Sequence, residues 1–232
     1  MNSTINQSKS LKMARIGIFA ALYAATSTVP ISMFIGAPSF LALNLIVTPA
    51  IAILLNPLEA FSASLIGAFI SLYVAPSQAM FGPFTVLLPV VGSTLGSLAF
   101  HKPKFGIIAT GYLLTVVIFY IIARPEFPYW IAPHLLAAFV AAISSIKNLP
   151  TKKLQMPAFA FVSTICEQAT MLMGATFILS LPWVVFATAF PLMIYERFVA
   201  TLGGSIIAYA LLKNIPKYFT EAYATERPEV SS

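Results

Sequence analysis

Long apolar runs, interrupted only by single charged residues or by Pro and Gly, occupy nearly the whole sequence. Hydrophobic residues make up 59% of the 232 positions and charged residues only 9%, whereas soluble domains contain about 25% charged residues. A helix needs about 20 residues to cross ~30 Å of hydrocarbon. The sequence therefore predicts an all-α, polytopic transmembrane helical bundle. The apolar runs lie at residues 14–34, 40–55, 57–75, 83–100, 105–123, 129–146, 156–180 and 184–212. Eight is an upper count of spans, because four of these runs are short.

The basic residues are distributed as topology signals. With eight spans and a cytoplasmic N-terminus, Arg124 falls outside, Arg197 falls within the membrane, and the other basic residues all fall inside. This asymmetry agrees with the positive-inside rule. We therefore expect a multi-pass protein of the cell membrane with both termini in the cytoplasm. Residues 1–12 would form a cytoplasmic N-terminal segment, residues 13–213 a single transmembrane domain, and residues 214–232 a cytoplasmic polar tail.

Several functional classes lack the residues that they need. The chain has one cysteine, Cys166, no Asp, and no His or Cys pair with the spacing of a zinc site. It also lacks a GxxxxGK[ST] phosphate loop, so it could not hydrolyse ATP alone. Its basic residues form no stripe of the kind that binds nucleic acid. We expect no cofactor, no metal site and no enzymatic activity.

Ionisable residues occur inside two of the apolar runs. Glu167 stands beside Gln168 in the seventh run, and Glu196 stands beside Arg197 in the eighth. A charge near the bilayer centre costs about 2.5–3.5 kcal/mol, so such residues are functional candidates. Adjacent residues on a helix point about 100° apart, so Glu196 and Arg197 need separate partners.

Glu167 and Arg197 are candidates for a pair between two helices. They would lie level if the last helix begins at Val184 and would be staggered by roughly 10 Å if it begins at Pro191. The sequence leaves both starts open. It also leaves open whether these charges form a buried pair that fixes helix register or line a polar pocket that opens outward.

Small residues form two neighbouring rows on the first helix, one with Gly17, Ala21 and Ala25 and the other with Ala20 and Ala24. Such rows allow a second helix backbone to approach closely in lipid. The second helix can belong to this bundle or to a partner protein.

Two other motifs are predicted to be structural. Gly92 and Gly96 form a GxxxG motif, and the glycines at 203–204 leave the last helix without side chains at that point. Both sites should therefore pack closely against other helices of the same bundle. In "NPLEA", Asn56 has the position of an N-cap and Glu59 that of a third helical residue that reaches back to the free N–H groups. A tight cytoplasmic hairpin would join the second and third runs.

Three segments resemble the substrate-binding S components of energy-coupling factor (ECF) transporters. "ARIGIFAALYAATS" is similar to that family's first helix, whose small-residue row docks on a transmembrane T component. "PLEAFSASLIGAFISLYVAP" is similar to its GPxxGxxxxxxG region, with Asn56 where Gly is usual and Ala60 for the second Gly. The ending "ERFVATLGGSIIAYALLKNIPK" resembles its last helix. The resemblance implies a six-helix core and partner docking through Ala20, Ala21, Ala24 and Ala25.

By this resemblance, the chain captures a vitamin-like small organic molecule and works with a T component and ATPase subunits. The substrate site would lie in the outer half of the bundle. An organic substrate is preferred because the chain begins "MNST" instead of with the Met-His of metal-binding members. A cation beside aromatic rings suits an anionic or carboxylated planar molecule. The candidate site residues are Arg197, Tyr195, Glu167, Trp130, His134, Gln168 and Glu196.

Simpler roles and other functions are also open for these residues. Aromatic residues such as Trp130 are common interface anchors, and a lone histidine such as His134 often has a structural role. A stand-alone secondary transporter could use Glu167 and Arg197 for ion or proton coupling. An intramembrane enzyme would need Glu167 or Glu196 to activate water beside His134, without the motifs that usually accompany such chemistry.

Overall fold

The fold is an all-α bundle, as predicted. The computed structural model describes residues 2–36, 39–146 and 152–219. Within these ranges the eight apolar runs correspond to eight helices. They are α1 (Asn2–Thr26), α2 (Asn44–Leu54), α3 (Pro57–Val74), α4 (Leu87–His101), α5 (Gly106–Ala123), α6 (Ala132–Ile146), α7 (Lys152–Met173) and α8 (Trp183–Asn214).

Six segments of the described chain are long and apolar enough to cross a membrane, and they contain α3 to α8. The chain is therefore a polytopic membrane protein. The other two helices differ from these six. Helix α2 has 11 residues, of which ten are buried, so it is a core helix about 16 Å long. Helix α1 is long but includes Lys9, Lys12 and Arg15.

A short β-hairpin separates the first two helices, where the sequence predicted the ends of two membrane spans. Strands β1 (Pro30–Phe34) and β2 (Ser39–Ala42) pair antiparallel. Helix α1 ends at Thr26 because the hydroxyls of Thr26, Ser27 and Thr28 donate to carbonyl groups one turn back. Pro30 follows, and proline disfavours helical geometry in the residue before it. Helix α1 therefore ends at Thr26, before the end of the first apolar run at residue 34.

The two ends of the bundle carry different features. At one end, which we call the hairpin end, the Gln78 side chain donates to the Ser27 carbonyl and Arg124 Nε donates to the Leu181 carbonyl at 2.9 Å. At the other end, which we call the terminal end, Arg15 Nη1 donates to the Tyr218 carbonyl at 2.7 Å. The N-terminal half of α1 and the segment that follows α8 therefore lie on the same side of the bundle.

Arg15 and Glu59 form a buried ion pair at the terminal end. Arg15 Nη2 lies 2.8 Å from Glu59 Oε1, and Arg15 Nε lies 3.2 Å from Glu59 Oε2. The predicted N-cap is confirmed, since the Asn56 side chain accepts from the Glu59 backbone N–H at 3.1 Å. The Glu59 carboxylate, however, contacts α1, whereas the sequence predicted that it would reach back to the start of its own helix. The strong electrostatic partner Arg15 explains the difference.

The glycine motifs pack internally, as predicted. A Cβ on Gly92 would lie 2.7 Å from the Cβ of Glu167, and a Cβ on Gly96 would overlap Ser163, so α4 and α7 approach closely. Ser163 also donates to the Gly92 carbonyl at 3.0 Å. On α8, a Cβ on Gly203 would lie 2.7 Å from Ile46 of α2. These contacts hold α7 and α8 against the core helices, and the candidate site lies between α7 and α8.

Candidate functional site

A cleft opens between α7, α8 and the β-hairpin at the hairpin end of the bundle. About 480 Å³ of space lies between its walls, counting the gaps between atoms and the open mouth. We call this the main cleft. Its walls are mostly apolar, and three polar side chains line it. The polar residues are Trp130, Gln168 and Glu196, and the apolar ones include Phe34, Leu41, Met171, Leu172, Phe186 and Met193.

The β-hairpin covers the main cleft. Its residues Met33, Phe34 and Ile35 line the cleft, and the Ser32 hydroxyl donates to the Glu196 carboxylate. Gly36, in the hairpin turn, has a φ of +111°, and a Cβ there would lie 2.7 Å from the Leu181 side chain. Glycine is therefore favoured at the turn both by conformation and by the close approach to Leu181, which precedes α8.

Glu196 and Arg197 both point into the bundle. Their exposed fractions are 5% and 2%, while the flanking residues Tyr195 and Phe198 are 64% and 62% exposed. The two charged side chains still have different neighbours, as the 100° step between adjacent helical residues predicts. Glu196 lines the main cleft, whereas Arg197 Nη1 donates to the carbonyl and hydroxyl oxygens of Thr164 on α7, both at 3.3 Å.

Glu167 and Arg197 lie at similar depths. Helix α8 begins at Trp183 and continues through Pro191, so the start before Pro191 is the one that the structure shows. Arg197 contacts Thr164, which is one turn from Glu167 along α7. Among the described residues, no ion pair within 4.0 Å joins Glu167 to Arg197. The two side chains interact electrostatically without direct contact.

A second, more polar cavity lies on the other side of Leu41 and Met171, which line both spaces. We call it the side cavity. About 320 Å³ of space lies between its walls, again counting its opening. Glu167 is the charged residue that lines it. Its other polar residues are Tyr23, Asn44, Gln78 and Thr85, and Asn44 Nδ2 donates to Gln78 Oε1 at 3.1 Å.

Trp130, His134 and Gln168 are buried beside these charges. Trp130 and Gln168 line the main cleft, while His134 is fully buried behind it. His134 Nδ1–H donates to the Trp130 carbonyl at 3.0 Å, and the imidazole interacts electrostatically with Arg197. The structure thus brings five of the seven candidates, Trp130, Gln168, Glu196, Arg197 and His134, to the cleft or directly behind it, and Glu167 to the adjoining side cavity.

Tyr195 does not belong to the site. It is largely exposed on the outer surface of α8 and lines neither the main cleft nor the side cavity. Tyr195 stands one residue before Glu196, and the turn of the helix carries its ring away from the core. The prediction that Tyr195 belongs to the substrate site is therefore corrected.

Several buried polar atoms around the cleft have no hydrogen-bond partner among the described residues. They are Trp130 Nε1, His134 Nε2, Glu167 Oε2, Gln168 Oε1, Arg197 Nε, Arg197 Nη2 and Thr201 Oγ1. Buried polar groups in native proteins are normally satisfied, and exceptions concentrate where a ligand or bound water acts. Among the described residues, no group of three or more His, Cys, Asp or Glu side chains is placed to hold a metal ion.

The small-residue rows of α1 have different environments. Ala20 and Ala24 are buried, and a Cβ on Gly67 of α3 would lie 2.8 Å from the Ala20 carbonyl oxygen. These two alanines therefore pack inside the chain, which corrects the prediction that they dock on a partner. Ala21 and Ala25 are exposed, and a Cβ on Gly17 would meet no atom of the described chain within 4 Å.

The sequence did not identify the β-hairpin or the apolar walls as parts of the site. Ser32, Gln78 and Phe186 contribute to it, yet each is a common residue type in an unremarkable context. Proline and glycine at positions 30, 36 and 38 were the signal for a turn between the first two runs. The chain matches no protein-family model, no curated protein and no solved structure.

Proposed function

We propose that this chain is the substrate-specific membrane subunit of a transporter that takes up a small, vitamin-like organic molecule. The main cleft carries this proposal. It is mostly apolar, it opens at one end of the bundle beneath a short hairpin, and two residues of its lining, Trp130 and Gln168, each have an unpartnered polar atom. Sites of this composition bind small organic molecules.

The orientation proposed for the chain follows its basic residues. Lys102, Lys104, Lys213 and Lys217 lie at the terminal end, and Arg124 lies at the hairpin end. Under the positive-inside rule the terminal end faces the cytoplasm. The main cleft then opens outward, where a captured nutrient would arrive.

Separate T and ATPase subunits would supply the energy. The chain has no phosphate-binding loop of its own. On α1, the small residues Gly17, Ala21 and Ala25 form an exposed row, and no described residue lies within 4 Å of a Cβ placed on Gly17. A helix of the T component could approach this face closely. The resemblance of "ARIGIFAALYAATS" to the first helix of ECF S components supports this assignment.

Purification of the tagged chain from its native membrane tests the partner proposal. ATPase subunits should co-purify with the chain. ATP-independent uptake by the lone chain in liposomes, driven by an ion gradient, would contradict the proposal. It would favour the second candidate, a stand-alone secondary transporter, for which the unpartnered oxygen of Glu167 near Arg197 is the supporting observation.

The two rows of α1 provide a matched pair of variants. Ala21→Leu enlarges the exposed row, so it should abolish uptake while substrate binding in detergent stays near normal. Ala20→Leu enlarges the row that packs against Gly67, so it should lower thermal stability as well. Uptake that is unchanged in a folded Ala21→Leu variant would exclude this face as the docking surface.

A further inference from the structure

The residues that carry charge into the two cavities are both acids. Glu196 lines the main cleft and Glu167 lines the side cavity. Arg197 is 2% exposed and lines neither cavity. Its Nη1 donates to Thr164 on α7, and its Nε and Nη2 have no partner among the described residues. A ligand bound in either space would therefore lie beside a carboxylate and not beside the Arg197 guanidinium.

Two acids and one base are buried near the cleft. When all are ionised, Glu167, Glu196 and Arg197 carry two negative charges and one positive charge, and each acid interacts electrostatically with Arg197. Uncompensated charge is costly in a low-dielectric interior. A single positive charge on a ligand would make the set neutral.

The unpartnered atoms of the cavity walls are largely acceptors. Gln168 Oε1 belongs to a residue that is 2% exposed, and Glu167 Oε2 to one that is 3% exposed. Neither oxygen has a partner among the described residues. Both can accept from N–H groups. The Trp130 indole N–H, also unpartnered and lining the main cleft, can donate to an acceptor elsewhere on the same ligand.

Aromatic rings complete an environment that suits a cation. Phe34, Trp130 and Phe186 line the main cleft together with Glu196, and Trp130 packs edge-on against Phe186 with ring centroids 5.5 Å apart. Aromatic faces attract ammonium groups, most strongly where water is excluded. The remaining apolar side chains would surround an uncharged organic body.

We infer that the substrate of the proposed transporter is a small organic cation, with a positively charged nitrogen beside Glu196 and an apolar or aromatic body between α7 and α8. This inference rests on the proposed function and specifies its substrate class. It replaces the sequence-based expectation of an anionic molecule, because Arg197 is hydrogen-bonded behind the cleft and does not line it.

Equilibrium dialysis of the purified full chain in nanodiscs tests the inference. The probes are matched ring compounds that differ in charge, beginning with phenethylamine, phenethyl alcohol and phenylacetate, and retention is measured by mass spectrometry. The protonated amines should be retained at least about tenfold better than their neutral and anionic counterparts. Glu196→Gln should reduce their retention about 10- to 100-fold, as expected for losing a hydrogen bond to a charged group.

Two controls separate a charge effect from misfolding. Glu196→Gln keeps the side-chain shape, and Gln can still accept from Ser32, so its fold is verified by circular dichroism and gel filtration. Tyr195→Phe alters the neighbouring residue on the exposed face and should leave retention unchanged.

The outcomes distinguish this inference from the proposed function. Preferential retention of the carboxylates or alcohols would overturn the organic-cation inference and leave substrate capture in place. Amine retention that is equal in wild type, Glu196→Gln and Glu167→Gln would also overturn it. If the folded wild-type chain retained no compound of any charge, that result would contradict the proposed capture function itself.

Discussion

Replacing Arg15 by Met should strongly destabilise the protein, although Arg15 lies at the terminal end, far from the cleft. The substitution removes two hydrogen bonds to Glu59, of 2.8 and 3.2 Å, and one to the Tyr218 carbonyl, of 2.7 Å. It also leaves the Glu59 carboxylate buried without its counter-charge.

The expected loss of unfolding free energy follows from the burial of both Arg15 and Glu59. Removing one member of a buried ion pair typically costs about 3–5 kcal/mol, because the remaining charge is uncompensated. Replacing both members by apolar residues of similar volume is often nearly neutral. The Arg15→Met/Glu59→Met double variant should therefore lose only about 1–2 kcal/mol, of which the lost bond to the Tyr218 carbonyl accounts for about 1 kcal/mol.

Reversible unfolding of the purified chain in mixed micelles, followed by tryptophan fluorescence, measures these free energies. Lys12→Met is the matched control on the same helix, since Lys12 is exposed. This substitution should change the free energy of unfolding little. A double variant as unstable as either single variant would refute the reasoning, as would single variants within about 1 kcal/mol of wild type.

Two further predictions concern the interior of the bundle. Gly96→Leu should destabilise the chain by roughly 1–3 kcal/mol or more, because even a Cβ there would overlap Ser163. At Gly111 an added Cβ would meet no atom within 4 Å in the described chain, so Gly111→Leu should be tolerated in the same unfolding assay. Arg197→Met should cost about 3 kcal/mol, since nearby carboxylates lose their counter-charge, and adding Glu167→Gln should restore part of the loss. Equal unfolding free energies for the single and double variants would contradict this account.

The helical architecture could be predicted from the sequence because the bilayer limits the possible folds. Apolar runs separated by charges, Pro or Gly can satisfy their backbone groups in lipid only as helices, and each run indeed contains one helix. The close contact of Gly92 and Gly96 with another helix was predictable for a similar reason, since small residues at four-residue spacing permit close approach.

The hairpin was not predictable from hydropathy alone. Residues 30–34 and 39–42 are apolar, so their composition resembles that of the adjoining helices. What distinguishes them is local backbone chemistry, in particular Pro30 and the hydroxyls that end α1. A pattern that is uniformly apolar contains no period from which a strand could be recognised.

The site residues were identified by the cost of burying them, and this criterion has a clear limit. Glu167, Glu196 and Arg197 were correctly expected to face the interior because charge is expensive in lipid. Tyr195 carries no such cost and lies on the outer surface. Which of the buried charges faces a cavity depends on helix rotation and on contacts such as Arg197 with Thr164, and these are tertiary features.

The contacts of Arg15 also bear on the order in which the chain can assemble during synthesis. Glu59 follows Arg15 by 44 residues, but the Tyr218 carbonyl follows it by 203. Helix α1 is therefore synthesised early and acquires its first electrostatic partner when α3 begins. Its last contact waits until nearly the whole described chain has been made. Since long-range contacts close slowly, the terminal end should be the last part of the bundle to become fully ordered as the protein leaves the ribosome.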